Sequence, residues 1–134
     1  MLVLVHDIFV SLLIGQMKGI IMLDHEKLDV YKCSVEFLAL AFTLIKDLPR
    51  GYGLISDHLK RSSLSIPFNI AEGVGKMSPA DKEKFFAIAR GSAMECASVL
   101  DACSVLKLIS HDTFDEGKTL LTRIVFMLTK MCSF

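Results

Sequence analysis

Apolar residues return every three or four positions along most of the chain, the spacing of one face of an α-helix. From about His25 to Asp47 the stripe is Val30, Cys33, Phe37, Leu40, Leu44 and Leu48. Pro49, Gly51 and Gly53 then interrupt it and predict a turn. A second helix is predicted from about Leu54 to Glu72, with Ile55, Leu59, Ser62, Ile66 and Ile70 inward. Pro67 lies inside it, lacks an N–H and crowds the carbonyl of Ser63, so a kink is expected there. Gly73 is the expected stop, because a left-handed C-terminal residue costs glycine least. "SPAD" opens a third helix, with Ser78 as cap, Pro79 in the first turn and Asp81 completing a capping-box pattern. Its stripe is Phe85, Ala89, Ser92, Cys96, Val99, Cys103 and Leu106, a heptad seam whose small residues admit a close neighbour. After "SHDTF" a fourth helix carries Leu120, Leu121, Ile124, Met127, Leu128 and Met131 inward, with Ser110 or Asp112 as cap. Four helices joined by short loops predict an all-α, antiparallel up-down-up-down four-helix bundle.

Composition narrows the classes of function. At 134 residues the chain fits one core, and 52% hydrophobic against 22% charged residues excludes disorder. Fifteen basic residues balance fifteen acidic ones, so no global field draws the chain to nucleic acid or to an anionic membrane. Cys33, Cys96, Cys103 and Cys132 form no C-x-x-C pair and lie in apolar helical runs, the setting of buried reduced thiols. That setting points to the cytoplasm.

The N-terminal segment "MLVLVHDIFVSLLIGQMKGIIML" is apolar over nearly the length that spans a bilayer, yet His6, Asp7, Gln16 and Lys18 interrupt it. It lacks the leading basic residues and small-residue cleavage site of a signal peptide. Met22 is the expected natural start, with residues 1–21 an upstream extension and residues 22–134 the bundle. An amphipathic appendage and a membrane anchor are the competing expectations.

Catalytic chemistry finds little to work with. "EGVGKMS" has the wrong glycine spacing and follows a helix, so it is not a phosphate loop. No Glu-x-x-His pair accompanies Glu36, Glu72 and Glu95, so no metal centre of the ferritin-like kind is expected. His58 precedes Ser62 by one turn, but no nucleophile-elbow motif surrounds any of the serines. No catalytic residue, cofactor or small-molecule substrate is expected.

Polar residues inside the apolar run remain. Arg61, Ser65, Asn69 and Glu72 share one side of the second helix, and Arg90, Ser92 and Glu95 lie opposite on the third. Buried polar groups are costly unless hydrogen-bonded, so this set is expected to form a connected network, with Glu72 or Glu95 meeting Arg61 or Arg90. A binding groove is the functional alternative. Lys60, Arg61, Lys76, Lys82, Lys84 and Arg90 give local basicity around the hairpin of helices two and three, interleaved with Asp57, Glu72, Asp81 and Glu83. They are the candidate nucleic-acid contacts.

The run "HLKRSSLSIPFNIAEGVGKMSPADKEKFFAIARGSAMECASVL", with N-I-A-E-G followed by I-A-x-G-S-x-x-E, resembles the four-helix-bundle proteins encoded in intervening sequences of large-subunit ribosomal RNA genes. "LDVYKCSVEFLALAFTLIKDLP" and "GLISDHLKR" fit the same pattern, and the resemblance covers about residues 23–110. Asn69, Glu72 and Gly73 match the first motif, and Gly91, Ser92 and Glu95 the second. The resemblance implies a small cytoplasmic homo-oligomer, a ring of five, without enzymatic activity. It extends to the accessory protein of diversity-generating retroelements, a basic pentamer that binds nucleic acid and reverse transcriptase. The balanced charge departs from that second pattern. Expected partners are therefore copies of itself, and then either ribosomal or other structured RNA or a protein. Phe42, Phe114 and Phe126 on helices one and four are the expected apolar surface for self-assembly.

Overall fold

The computed structural model describes residues 21–132. The apolar segment expected to precede the bundle lies outside the described residues, apart from Ile21. A 3-10 turn at Asp24–Lys27 leads into four helices, α1 (Asp29–Asp47), α2 (Gly53–Val74), α3 (Pro79–Val105) and α4 (His111–Met131), with no strand among the described residues. The fold class is the one expected. No described helix is long and apolar enough to cross a membrane.

Each helix packs on its predecessor and successor, α4 closes against α1, and α2–α3 is the largest of these interfaces. Hydrogen-bonded pairs give the directions. Ser62 meets Cys96 and Ser65 meets Ser92 across α2–α3, so those helices run antiparallel. Asp101 meets Lys118 and Arg90 meets Thr129 across α3–α4, again antiparallel.

The inner stripes of α1 and α2 fall close to expectation: Val30, Cys33, Phe37, Leu40 and Leu44, then Leu59, Ser62, Ile66 and Ile70, are buried. Burial of these apolar side chains supplies the main driving force for folding. In α4, Leu120, Leu121, Ile124 and Leu128 are buried, whereas Met127 and Met131 only flank the core. Ser78 and Ser110 cap α3 and α4, their hydroxyls accepting from the amides of Asp81 and Thr113.

Three expectations need correction, and one feature of the fold was not anticipated. The first helix does not start at His25: Leu28 is extended (ψ 132°) and separates the 3-10 turn from α1, which sets its side chain against the core. The α3 face is rotated. Phe86, Ala89, Ala93, Cys96, Leu100 and Cys103 are its buried residues, because a helix flanked on two sides buries the direction between its neighbours. Ser92 hydrogen-bonds Ser65 on the α2 side and is only half-buried, as are Phe85 and Val99, and Leu106 falls beyond the helix end, 47% exposed.

Gly73 is not a left-handed stop. It is buried within α2, and α2 runs through Pro67 to Val74. A Cβ on Gly73 would sit 2.7 Å from the Phe86 ring and 3.2 Å from the Lys82 carbonyl oxygen, so the glycine lets α3 approach. The exposed end of α2 is served by the neighbouring helix, as Lys82 Nζ donates to the Val74 carbonyl at 2.8 Å. Finally, α3 ends in a Schellman motif that sequence did not announce. Leu108 N donates to Cys103 O and Lys107 N to Ser104 O, with Lys107 at φ 57° where glycine is usual.

These two sites predict opposite signs in denaturant unfolding. Gly73→Ala is expected to lose about 1–3 kcal/mol by overpacking, outweighing the roughly 1 kcal/mol gain in helix propensity, with part restored by Phe86→Leu. Lys107→Gly is expected to gain roughly 0.5–1 kcal/mol by relieving the left-handed residue. An unchanged Gly73→Ala would contradict the close approach.

Candidate functional site

The α2–α3 seam is where the polar residues picked out in sequence come together, but only some of them join. Asn69 Nδ2 donates to the Ser65 carbonyl at 2.8 Å and lies 3.0 Å from Ser65 Oγ, which lies 2.7 Å from Ser92 Oγ. One proton arrangement satisfies the chain: Asn69 donates to Ser65 Oγ, and Ser65 donates to Ser92. One turn away, the Cys96 thiol donates to Ser62 Oγ at 3.2 Å while Ser62 donates to the His58 carbonyl at 2.8 Å. These small groups let two helices come close while every hydroxyl finds a partner.

The charged members go elsewhere. Glu72 is exposed and pairs with Lys76 at 3.1 Å, four residues on, in the turn just past the end of α2. Glu95 faces His58, Oε1 to Nδ1 3.4 Å. Arg90 is half-buried, its Nε donating to Thr129 Oγ1 at 2.8 Å. Arg61 is exposed, Gly73 serves the α3 approach, and Gly91 is exposed with open space around its Cα. The network is therefore a short neutral relay of Asn69, Ser65 and Ser92, not a charged cluster. Long side chains reach to the nearest opposite charge or carbonyl, which is often on their own helix.

The six basic candidates do not form one patch. Lys60 and Arg61 lie about 20 Å along α2 from its end at Val74, beyond which Lys76 stands, at 1.5 Å per residue. Lys82 holds the end of α2, and Arg90 sits on the α4 side of α3. Lys76 and Lys84 share a locus, their ammonium groups 5.1 and 6.0 Å from the centre of the half-buried Phe85 ring, and Lys82 is held at the same turn.

Among the described residues the His58–Ser62 pair does not form a nucleophile: the Ser62 hydroxyl is spent on the backbone of His58, and the imidazole faces Glu95. Among the described residues no group of three His, Cys, Asp or Glu side chains is placed to hold a metal. The four thiols are buried and unpaired. Burial pushes Cys96 from the ordinary 9.0 up to about 12, against a lowering hydrogen bond with Ser62, and burial likewise pushes Cys33 up to about 11. Thiols held protonated are poor nucleophiles and poor metal ligands.

Sequence reasoning did not find one further feature, an apolar groove between α3 and α4 bordered by Ala93, Ala97, Leu121 and Phe126. Its signal was present in the two alanines one turn apart opposite a bulky partner on the last helix.

Comparison with known proteins follows this architecture. The family model described as 23S rRNA-intervening sequence protein matches residues 26–130. Among solved structures, the chain is similar to a protein of unknown function from the S23 ribosomal protein family of Bacteroides thetaiotaomicron. That likeness has a TM-score of 0.72 at 25% identity and covers 78% of this chain and 99% of the other. No curated protein matches.

The relay predicts that Asn69→Ala costs about 1–2 kcal/mol, since it removes the donor to the Ser65 carbonyl and hydroxyl at a packed seam. Glu72→Ala should change stability by less than about 0.5 kcal/mol, as an exposed i,i+4 pair. Equal losses in urea unfolding would contradict the division. The thiols predict alkaline sensitivity. Cys96 ionises near 9 when unfolded and near 12 when folded, so its contribution is intact below pH 9. It is lost as pH rises from 9 toward 12, by up to about 1.4 kcal/mol per pH unit. Cys96→Ala should flatten that decline in unfolding free energy, and an unchanged slope would show that the thiol is not responsible.

Proposed function

The chain belongs to the 23S rRNA-intervening sequence protein family, and we propose that it acts without catalysis, as a bundle that assembles with copies of itself into a closed ring and serves as a cytoplasmic scaffold. The observation that carries this reading is the outer surface. Phe68 on α2 and Phe126 on α4 are 65% and 66% exposed, and Ile88 and Met94 on α3 are exposed as well, on a chain of zero net charge. Exposed aromatic side chains at packed helices mark contact surfaces, and a neutral chain carries no net repulsion between copies. A ring of five is the expected closure, and the ring would then present one face to a protein partner.

A second reading is an RNA- or ribonucleoprotein-associated adaptor. One locus favours it: Lys76 and Lys84 flank Phe85 at the α2–α3 turn, pairing positive charge with an aromatic ring. The scattering of the other basic residues makes it the weaker of the two.

The mass of the full chain in solution tests the first reading. By light scattering and native mass spectrometry, we expect a closed species at five times the 14.9 kDa chain mass, and a single-chain mass would contradict it. Fluorescence anisotropy with a structured ribosomal RNA fragment tests the second. Binding that weakens steeply with salt and is lost in Lys76→Gln/Lys84→Gln would put RNA first; no binding at low salt leaves the protein scaffold.

A further inference from the structure

The α3–α4 groove holds about 180 Å³. Ala93 and Leu121 are buried at its base, while Met94 and Phe126 stand exposed along its edges. Its charged lining residue, Lys118, already donates to Asp101 at 2.9 Å. An apolar side chain is what such a hole accepts. On a different helix, α2, Phe68 stands 65% exposed with Arg61 seven residues before it and Glu72 four residues after.

We propose that this groove receives Phe68 from a second copy of the chain, making a head-to-tail interface; this rests on the self-assembly reading above. Knob and hole lie on different faces, which is the condition for a ring, whereas a two-fold exchange of one patch would stop at a dimer.

With Phe68 set at the Met94 edge of the groove, charge complementarity favours one direction, in which the intermolecular pairs would compete with Glu72–Lys76 and Asp101–Lys118. Copies standing side by side and pointing the same way set α2 of one copy antiparallel to α3 of the next. With Phe68 level with Met94, Arg61 falls about 10 Å along and Glu72 about 6 Å the other way, at 1.5 Å per residue. Counting the same steps on α3 reaches Asp101 and Arg90. Both matches oppose in sign. Both α3 residues also lie along the groove's own seam, since Asp101 bonds Lys118 and Arg90 bonds Thr129 on α4. Copies pointing in opposite directions would instead set Arg61 and Glu72 against Ala87 and Ser98, where no charge answers.

The test uses full-length chains in native mass spectrometry, with helicity and melting temperature confirming the fold of each variant. Phe68→Ser removes the knob and leaves the hole; Met94→Glu spoils the hole and leaves the knob. Each alone should fall to the 14.9 kDa single chain. Mixed one to one, they should form a pair of twice that mass that grows no further, because one intact knob meets one intact hole. Arg61→Asp and Asp101→Arg should each weaken assembly, and the double variant should restore it. A wild-type assembly that survives both Phe68→Ser and Met94→Glu overturns this interface while leaving self-assembly standing. Variants that dissociate singly yet fail to pair overturn the head-to-tail geometry. A wild-type chain that runs singly overturns the interface and the assembly together.

Discussion

The bundle depends on how closely α2 and α3 approach. At one end Gly73 leaves room for the Phe86 ring, which a single methyl group would reach at 2.7 Å. Along the middle, Ser62, Ser65, Ser92 and Cys96 take the place of larger side chains and bond one another or the backbone. Close approach brings Lys82 within reach of the Val74 carbonyl, so one helix closes the open end of its neighbour. Packing, polar satisfaction and capping are thus one arrangement, and a larger residue at the seam would disturb all three.

Helix count, helix order, the Ser78 and Ser110 caps and the inner stripes of α1 and α2 were legible in sequence, because each is a local pattern. The α3 face was not. A strict heptad through Phe85, Ser92 and Val99 looked cleaner than the true face through Phe86, Ala93 and Leu100, but periodicity cannot weigh a helix's two neighbours. Gly73 was misread for a related reason. A glycine near a helix end signals a stop only when nothing packs against it, and here Phe86 does. Lys107 at φ 57° had no glycine to announce it, since tertiary packing of Leu108 outweighs local preference there.

The candidate site divides along the same line. Asn69, Ser65 and Ser92 are short, so helix register alone nearly decides their partners. Arg61, Glu72, Arg90 and Glu95 are long, and they found Lys76, His58, Thr129 or solvent instead of one another. Of the motif residues, Asn69, Gly73 and Ser92 serve the seam, whereas Glu72 and Gly91 face outward.

Native-state hydrogen exchange, resolved by residue, tests the primacy of the α2–α3 seam most directly. The slowest amides should lie in α2 from Leu59 to Gly73 and in α3 from Phe86 to Cys103, opening only with global unfolding. If the slowest amides lie in α1 and α4 while the seam opens at lower free energy, the account of what holds this bundle together is wrong.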